Sequence, residues 1–304
     1  MNNKIYLAAV FALVLTACTN ENDNPIPADG EVAAQVIADI GSVYTRASGN
    51  AWTQDDEIGI STVDGTKTDY TNIPYKYDGG TFMPSGVTIY FQSPEVVTFN
   101  AYYPYAADGG IVTAKTDAVA QKDLPAIDFL FAEGATASKT APTVAFTDKT
   151  ADNGGKDNSF HHCMSQITLE LTEGSDIAFT GALTEYTLKG LVLDGTFDTT
   201  TGEAKADAET AAAPLTMALT NVTSTGGKYT TAPVILFPQA VNSIGLEIEV
   251  DGQTYKATLT LANGLEAGNN YIFPVTVKKT GLSVGTAEIT DWNRINGTST
   301  DAVM

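Results

Sequence analysis

The chain opens, after its first thirty residues, with a regular alternation of apolar and other side chains. From Glu31 onward every second position carries a small or branched apolar residue. These positions are Val32, Ala34, Val36, Ala38 and Ile40. Because successive side chains of a strand point to opposite faces, this period of two predicts a strand with one buried face. A polar stretch with a Gly-Asn pair follows at 43–50 and predicts a loop that leaves Arg46 accessible.

Short runs of the same kind recur along the rest of the chain between Asp-Gly, Gly-Gly and Pro-Ser-Gly turns, and Asp251-Gly252 joins two of them as a hairpin. The pattern predicts an all-β protein. An Ala-rich piece at 203–213 has no apolar stripe and is predicted to be a loop. The predicted strands are Glu57–Val63, Ile73–Tyr77, Val87–Phe91, Val96–Tyr103, Ile127–Ala132, Phe160–Leu171, Tyr186–Leu193, Pro233–Phe237, Ile244–Val250, Thr254–Leu261, Tyr271–Lys278 and Ala287–Ile289.

The most turn-rich stretch runs from Thr150 to Asn158 and contains Asp, Asn and two consecutive glycines. Such a stretch is typical of a domain boundary, and 304 residues are enough for two cores. We therefore predict two antiparallel β-sandwiches, one over residues 31–155 and one over residues 156–304.

The first seventeen residues combine Lys4 with an apolar run that is too short to span a bilayer, which indicates a secretory signal. The run ends in Leu15-Thr16-Ala17-Cys18, which looks like a bacterial lipobox, so cleavage would leave Cys18 to be lipidated and residues 18–30 as a polar tether. An ordinary signal peptide is the alternative. No second apolar run of about 18 residues follows, so we expect no membrane span in the mature chain.

Charge and composition exclude some functions. The chain has 16 basic and 36 acidic residues, a formal net charge of −20. A chain this acidic cannot replace the counterions of a nucleic-acid backbone, which excludes nucleic acid as a partner. With 43% hydrophobic residues it is not a disordered acidic tail.

Candidate chemistry is sparse. On a strand, only His161 and Cys163 of the His161-His162-Cys163 run could share a metal ion, and a structural role is the favoured interpretation. Asp55-Asp56-Glu57 is a solvated acidic loop rather than a calcium site. No phosphate loop, nucleophile elbow or His-Glu-x-x-His motif is present. We expect no metal, no cofactor and no catalysis.

Several phrases, taken in order behind the lipobox, resemble the fimbrillin family of Gram-negative surface pilus subunits, also called type V pilins. They are Thr45-Arg46-Ala47, Trp52 with Asp56–Ile60, Asn100–Tyr105, Asp128–Ala132, Phe160–Leu169, Gly268–Phe273 with Val275-Thr276-Val277, Gly281–Val284 and Ile289–Trp292. Residues 150–158 look like an insertion just before the phrase Phe160–Leu169. The resemblance covers almost the whole chain.

The resemblance implies two tandem transthyretin-like β-sandwich domains, export as a lipoprotein anchored in the outer membrane, and assembly with other fimbrial subunits at the cell surface by strand exchange. It also implies that an arginine-specific protease cuts between Arg46 and Ala47, which would release the alternating strand. The resemblance further implies that the strand donated to a neighbouring subunit is a C-terminal segment. Here only 293–304 follow Trp292, with few apolar residues, so 287–289 and Trp292 would have to contribute.

The alternative function is a tip or cell-surface adhesin that binds a glycan or a host protein. Its candidate contacts are the aromatic residues Tyr102, Tyr103 and Tyr105, for which packing in the core and between the domains is the favoured interpretation. An enzyme is the least favoured class.

Overall fold

The computed structural model describes residues 30–41, 51–147 and 157–292, and these residues form strands, turns and two short 3₁₀ helices at Ala120–Lys122 and Leu124–Ala126. The all-β prediction is confirmed. Among these residues, none belongs to a helix with the length and apolar character needed to cross a bilayer.

The first half of the chain folds around one eight-stranded sheet with the order β10-β2-β5-β4-β3-β7-β9-β11, while β1 pairs with β6 beside it. The sheet curls, because β10 at one end also contacts β9 near the other end. The strands are β1 Val32–Ala33, β2 Gln35–Ala38, β3 Glu57–Thr62, β4 Ile73–Tyr77, β5 Phe82–Pro84, β6 Tyr90–Phe91, β7 Val97–Tyr103, β8 Ile111–Lys115, β9 Leu130–Ala137, β10 Thr143–Phe146 and β11 His161–His162.

The second half is a sandwich of two sheets. One has the order β17-β12-β21-β22, extended by β18 beside β12 and by β23 beside β21, and the other has the order β16-β13-β19-β20. The strands are β12 Ser165–Glu173, β13 Leu183–Leu191, β14 Asp194–Asp198, β15 Ala204–Ala206, β16 Ala213–Ala218, β17 Lys228–Thr230, β18 Val234–Leu236, β19 Ser243–Val250, β20 Gln253–Thr260, β21 Asn269–Lys278, β22 Gly281–Val284 and β23 Glu288–Asp291.

Each half has its own hydrophobic cluster. The first cluster takes its buried residues from positions 34–160 and contains many aromatic rings, such as Phe82, Phe146 and Phe160. The second takes its buried residues from positions 167–277 and is mostly aliphatic. The predicted division near residue 155 falls at 148–156, outside the described residues, so its position stays a prediction.

A third cluster joins the two halves. Phe129 stacks on Phe197 with ring centroids 4.7 Å apart, and Trp292 and Cys163 are buried in the same group. The backbone contributes too, because β8 pairs with β14 in a small three-stranded sheet. The side chain of Gln121 bonds the backbone of Ile235 in both directions, with distances of 2.7 and 2.9 Å. The halves therefore share buried surface and hydrogen bonds.

Most strand pairs are antiparallel, as predicted, but two are parallel: β2 with β10 and β12 with β21. The strand predicted at 127–132 begins later, at Leu130, because Pro125 lies in a 3₁₀ turn and Ile127 has a non-extended backbone with ψ near 0°. The stretch 203–213, predicted to be a loop, contains β15 and the first residue of β16. The strands β5, β8, β10, β14, β15, β16, β17 and β22 were not predicted.

Candidate functional site

The alternating N-terminal segment lies inside the first sheet rather than at its edge. β2 is inserted between β10 and β5. It pairs with β10 in parallel over four residues, from Gln35 with Thr143 to Ala38 with Phe146, whereas its antiparallel contact with β5 is the single pair of Val36 with Phe82. The segment thus completes the sheet but shares a short ladder with each neighbour.

The side chains of this segment follow the predicted period of two. Val36 is 2% exposed, and Ala34 and Ile40 are also buried in the first cluster. Val32 and Ala38 are partly buried on the same face, while Gln35 and Asp39 are exposed and Ile37 is 37% exposed. The backbone breaks at Ala34, so that β1 pairs with β6 and β2 pairs with β10.

The end of the segment is fixed by the strand region near residue 160. The Gly41 amide donates to the carbonyl of Phe160 at 2.8 Å, and the Phe160 amide donates to the carbonyl of Asp39 at 2.9 Å. Trp52, which follows the undescribed residues 42–50, donates from Nε1 to the carbonyl of Ala38 at 2.8 Å. The indole also meets Phe82 and Phe160 edge to face at 5.1 and 5.0 Å. Trp52 therefore holds the end of β2 against the core.

A cavity of about 170 Å³ opens where Ile40 and Trp52 meet the second half of the chain. Its mouth is bordered by the exposed residues Ala51, Thr53 and Pro125. Buried side chains lie deeper, and the lining comes from both halves. The other lining residues are Asp56, Tyr103, Leu124, Asp128, Leu130, Gln166, Ile235 and Trp292.

One acidic group of the cavity is held by Tyr103. The Tyr103 hydroxyl donates to Asp56 Oδ1 at 3.1 Å, and the Thr53 amide donates to Asp56 Oδ2 at 2.7 Å. Burial raises the pKa of Tyr103 well above its ordinary value, and the negative charges of Asp56, Asp128 and Asp123 raise it further. The hydroxyl thus remains a proton donor to Asp56 at neutral pH.

The second acidic group is held by a histidine. Asp128 Oδ1 lies 2.8 Å from His162 Nδ1, and the imidazole stacks on Trp292 with centroids 4.0 Å apart. Cys163 beside it is buried, and desolvation followed by the charge of Asp128 raises the pKa of its thiol. His162 and Cys163 therefore have structural contacts, and no group of three or more metal-capable side chains occurs in the described parts of the chain.

Gln166 is 3% exposed and lines the same cavity. In β12, Ile167, Leu169 and Leu171 belong to the second core. Since side chains alternate along a strand, Gln166 faces the opposite way, toward the first half. Its side-chain amide has no hydrogen bond to another described residue, and it is not among the fully enclosed polar atoms without a partner, so it borders the open space of the cavity.

The other predicted positions are placed as follows. Cys18, Arg46 and Ala47 lie outside the described residues, as does 293–304. Tyr102 and Tyr103 are 2% and 8% exposed, and Tyr105 is partly buried, so the aromatic residues considered for an adhesin pack inside the protein.

The C-terminal positions considered for a donor strand are engaged within the subunit. β23 is already paired with β21, and Trp292 is buried at the junction. Asp56 of the acidic loop is bonded to Tyr103 rather than free in solvent.

Sequence reasoning did not identify the cavity. Trp52, Asp56, Asp128 and Trp292 each appear in the phrases that resemble the family, but nothing in the sequence says that they share a site. Gln166 also lies in one of these phrases, Phe160–Leu169, but no pattern in the sequence singles it out.

Comparison with known proteins agrees with this architecture. The family described as fimbrillin-like matches residues 45–292. Fim1C of Bacteroides uniformis, named as a candidate fimbrium subunit, is 27% identical over 98% of this chain and 97% of its own. A solved structure of a candidate cell adhesion protein from Bacteroides ovatus is 30% identical, with a TM-score of 0.72 over 86% of this chain and 98% of its own.

A second such structure, from Bacteroides uniformis, is 26% identical with a TM-score of 0.64 over 88% of this chain and 99% of its own. A fimbrial protein from Bacteroides vulgatus is 13% identical and shares the fold, with a TM-score of 0.54 over 86% of this chain and 99% of its own. The family match spans more than half of the chain, and it supports a structural rather than an enzymatic protein. The chain is a member of the fimbrillin-like family.

Proposed function

We propose that this chain is a structural subunit of a cell-surface fimbria, exported as a lipoprotein on Cys18 and assembled by strand exchange after cleavage between Arg46 and Ala47. The observation that carries the proposal is the position of β2, an N-terminal strand that fills the interior of a sheet with little ladder pairing. The proposal also divides the chain into two domains near residue 155, which is supported by the two separate clusters.

Withdrawal of residues 31–41 would uncover a long apolar groove. The buried side chains that pack with this segment include Phe82, Val144, Phe146 and Phe160. β10 would also lose its parallel partner, and β5 would become an open edge. An exposed edge beside an apolar groove favours the addition of an extended segment from another molecule. A second subunit is the natural donor in a fimbria.

The distribution of arginine supports a selective cut. The sequence contains arginine only at positions 46 and 294. The residues between them, including every described residue from 51 to 292, offer no site to an arginine-specific protease. Such an enzyme could therefore release the N-terminal segment without cutting the folded domains, and any cut at Arg294 is distinguished by the mass of the product.

The donor would be supplied by residues after Trp292, because β23 and Trp292 are engaged within the subunit. Before processing, acyl chains on Cys18 would hold the precursor on the outer membrane, since two or more chains give stable anchoring. Both points are parts of the proposal that need separate tests.

The test treats the purified protein with an arginine-specific protease and follows it by mass spectrometry, size-exclusion chromatography and electron microscopy. Wild type should lose the segment through Arg46 and form ladders or filaments. Arg46→Lys is the matched control, because it keeps the positive charge and removes the cut. Filaments from uncut Arg46→Lys would contradict the proposed mechanism. So would wild type that mass spectrometry shows to be cut after Arg46, but intact at Arg294, and that stays monomeric.

Lipidation is tested in cells with a fatty-acid analogue. Cys18→Ala should lose the label and accumulate as uncleaved precursor, whereas Cys163→Ala should be labelled like wild type. Undiminished labelling of Cys18→Ala would overturn the lipoprotein assignment without affecting the strand-exchange test.

A further inference from the structure

We propose that the cavity between the two halves binds an organic cation, an ammonium or guanidinium group on a slim apolar stem such as a lysine or arginine side chain. The proposal is independent of the assembly mechanism. The cavity measures about 170 Å³, and cavities of about 150 Å³ are known to admit a ligand the size of benzene. It is therefore large enough for such a group and too large for a single water molecule.

The charge of the lining selects a cation. Two carboxylates, Asp56 and Asp128, border the cavity, and the part of its lining that the described residues form contains neither lysine nor arginine. Asp128 already lies against His162, so Asp56 is the carboxylate that would gain most from a cation in this partly apolar cavity. Each carboxylate is positioned by its own partner, Asp56 by Tyr103 and Asp128 by His162. A bound cation would offset this charge.

Gln166 adds a polar group to the cavity that is independent of the two carboxylates. Its amide is buried, lines the cavity and has no hydrogen-bond partner among the described residues. Since this amide borders the cavity and is not used by the fold, it is available to bond a ligand that enters. The amide oxygen can accept a hydrogen bond from an ammonium or guanidinium donor that also faces the carboxylates.

The aromatic walls also favour a cationic ligand. Trp52, Trp292 and Tyr103 line the cavity, and a cation is attracted to the face of an indole or phenol ring. Aromatic rings with carboxylates also occur in sugar sites, but a neutral sugar would bring no positive charge to the carboxylates. The acceptors at Asp56, Asp128 and Gln166 match a ligand that only donates hydrogen bonds.

The experiment uses the intrinsic fluorescence of the purified protein, because the sequence has two tryptophans and both line the cavity. The probes are n-butylammonium, n-butylguanidinium and a blocked tripeptide that carries one lysine. We expect a saturable change in tryptophan emission that weakens as sodium chloride is raised. Tighter binding of the peptide would identify a protein side chain as the natural source, and tighter binding of the free amine would identify a small molecule.

Matched variants and neutral probes make the test specific. Asp56→Asn should weaken binding by about tenfold, as expected for loss of a close charge, and Gln166→Leu should weaken it as well. Asp108→Asn makes the same charge change at an exposed position outside the cavity and should bind like wild type. Circular dichroism checks that each variant is folded.

The proposal is overturned if no cationic probe changes the emission of wild type, or if 1-butanol or methyl galactoside gives an equal or larger saturable response. It is also overturned if folded Asp56→Asn and Gln166→Leu both bind as tightly as wild type. Because the wild-type arm needs no variant, the outcome is decisive even if one substitution prevents folding.

Discussion

The two halves of the molecule each contain a parallel strand pair, but the pairs differ in how firmly they are built. In the second half, β12 and β21 are registered over eight residues, from Gln166 to Glu173, in the middle of a sheet. In the first half, β2 is registered with β10 over four residues and with β5 at one. The first half therefore depends on a short inserted strand, and the second does not.

The hydrophobic clusters of the two halves also differ in the side chains that they contain. The buried side chains against β2 include large aromatic rings, whereas the second cluster is dominated by leucine, isoleucine and valine from long strands of that half. Since β2 has few backbone bonds, most of its attachment comes from burial of Ala34, Val36 and Ile40. A segment held mainly by side-chain burial can be replaced by another segment with the same apolar pattern.

The strongest test of this difference places a charge on the buried face of β2. Val36→Asp should destabilise the protein by about 3–5 kcal/mol, because it buries an unpaired carboxylate. Ile37→Asp, on the outer and partly exposed face of the same strand, should cost only about 1 kcal/mol. Urea unfolding measures both values. Equal effects would show that the face of β2 does not matter.

A second substitution addresses the other core. Leu246→Ala in β19 removes a buried side chain and should cost about 2–5 kcal/mol. Hydrogen exchange at 35–38 should remain as in wild type, because β2 belongs to the other cluster. Faster exchange in β2 after this change would mean that the two cores unfold as one unit.

Trp52→Phe sharpens the comparison at the end of β2. It keeps an aromatic ring and removes the hydrogen bond from Nε1 to the carbonyl of Ala38. We expect a loss of about 1 kcal/mol, the usual net value of one hydrogen bond. Mass spectrometry of hydrogen exchange should show faster exchange in 35–41 and no change in β12 or β21. Unchanged exchange at 35–41 would exclude Trp52 as the residue that holds this strand.

The smallest effect concerns two carboxylates, one in each half. Hydrogen bonds from the Thr66 hydroxyl and from the amides of Thr68 and Lys67 lower the pKa of Glu95 to about 2, whereas Lys189 and Lys256 lower the pKa of Glu247. Both pKa values are depressed by folding. The stabilisation is therefore present above the ordinary pKa of about 4.3 and is lost as pH falls through the folded value.

Salt separates the two causes. Because ion pairs are screened and short hydrogen bonds are not, added salt should raise the pKa of Glu247 toward its ordinary value and leave that of Glu95 near 2. Carboxyl titration by NMR at low and high ionic strength measures both groups. A large salt response at Glu95 would contradict the hydrogen-bond explanation.

Much of the fold was predictable because apolar and polar residues alternate along many of its strands. The strands from Ile244 to Leu261 and their Asp-Gly turn match β19 and β20 closely. β8 and β14 were missed because they carry no apolar run. β8 has alternate residues that are exposed or only partly buried, and Asp194, Thr196 and Asp198 of β14 are polar. These strands are stabilised by pairing with each other, which a local pattern does not record.

The candidate site shows a similar limit. The alternation from Val32 to Ile40 predicted which face of the segment is buried, because the two faces of a strand can be told apart from neighbouring residues alone. The cavity arises from the meeting of residues more than two hundred positions apart, such as Trp52 and Trp292. No period or spacing in the sequence encodes that meeting, so the site could be found only in three dimensions.

The pairing of β8 with β14 has a mechanical consequence. Under tension that pulled the two cores apart, the load would fall on the registered backbone bonds from Ile111–Asp198 to Lys115–Asp194 and on the stacked rings of Phe129 and Phe197. The connecting chain alone would not carry the force. A pulling force would therefore be shared by backbone hydrogen bonds and packed rings that lie far apart in the sequence.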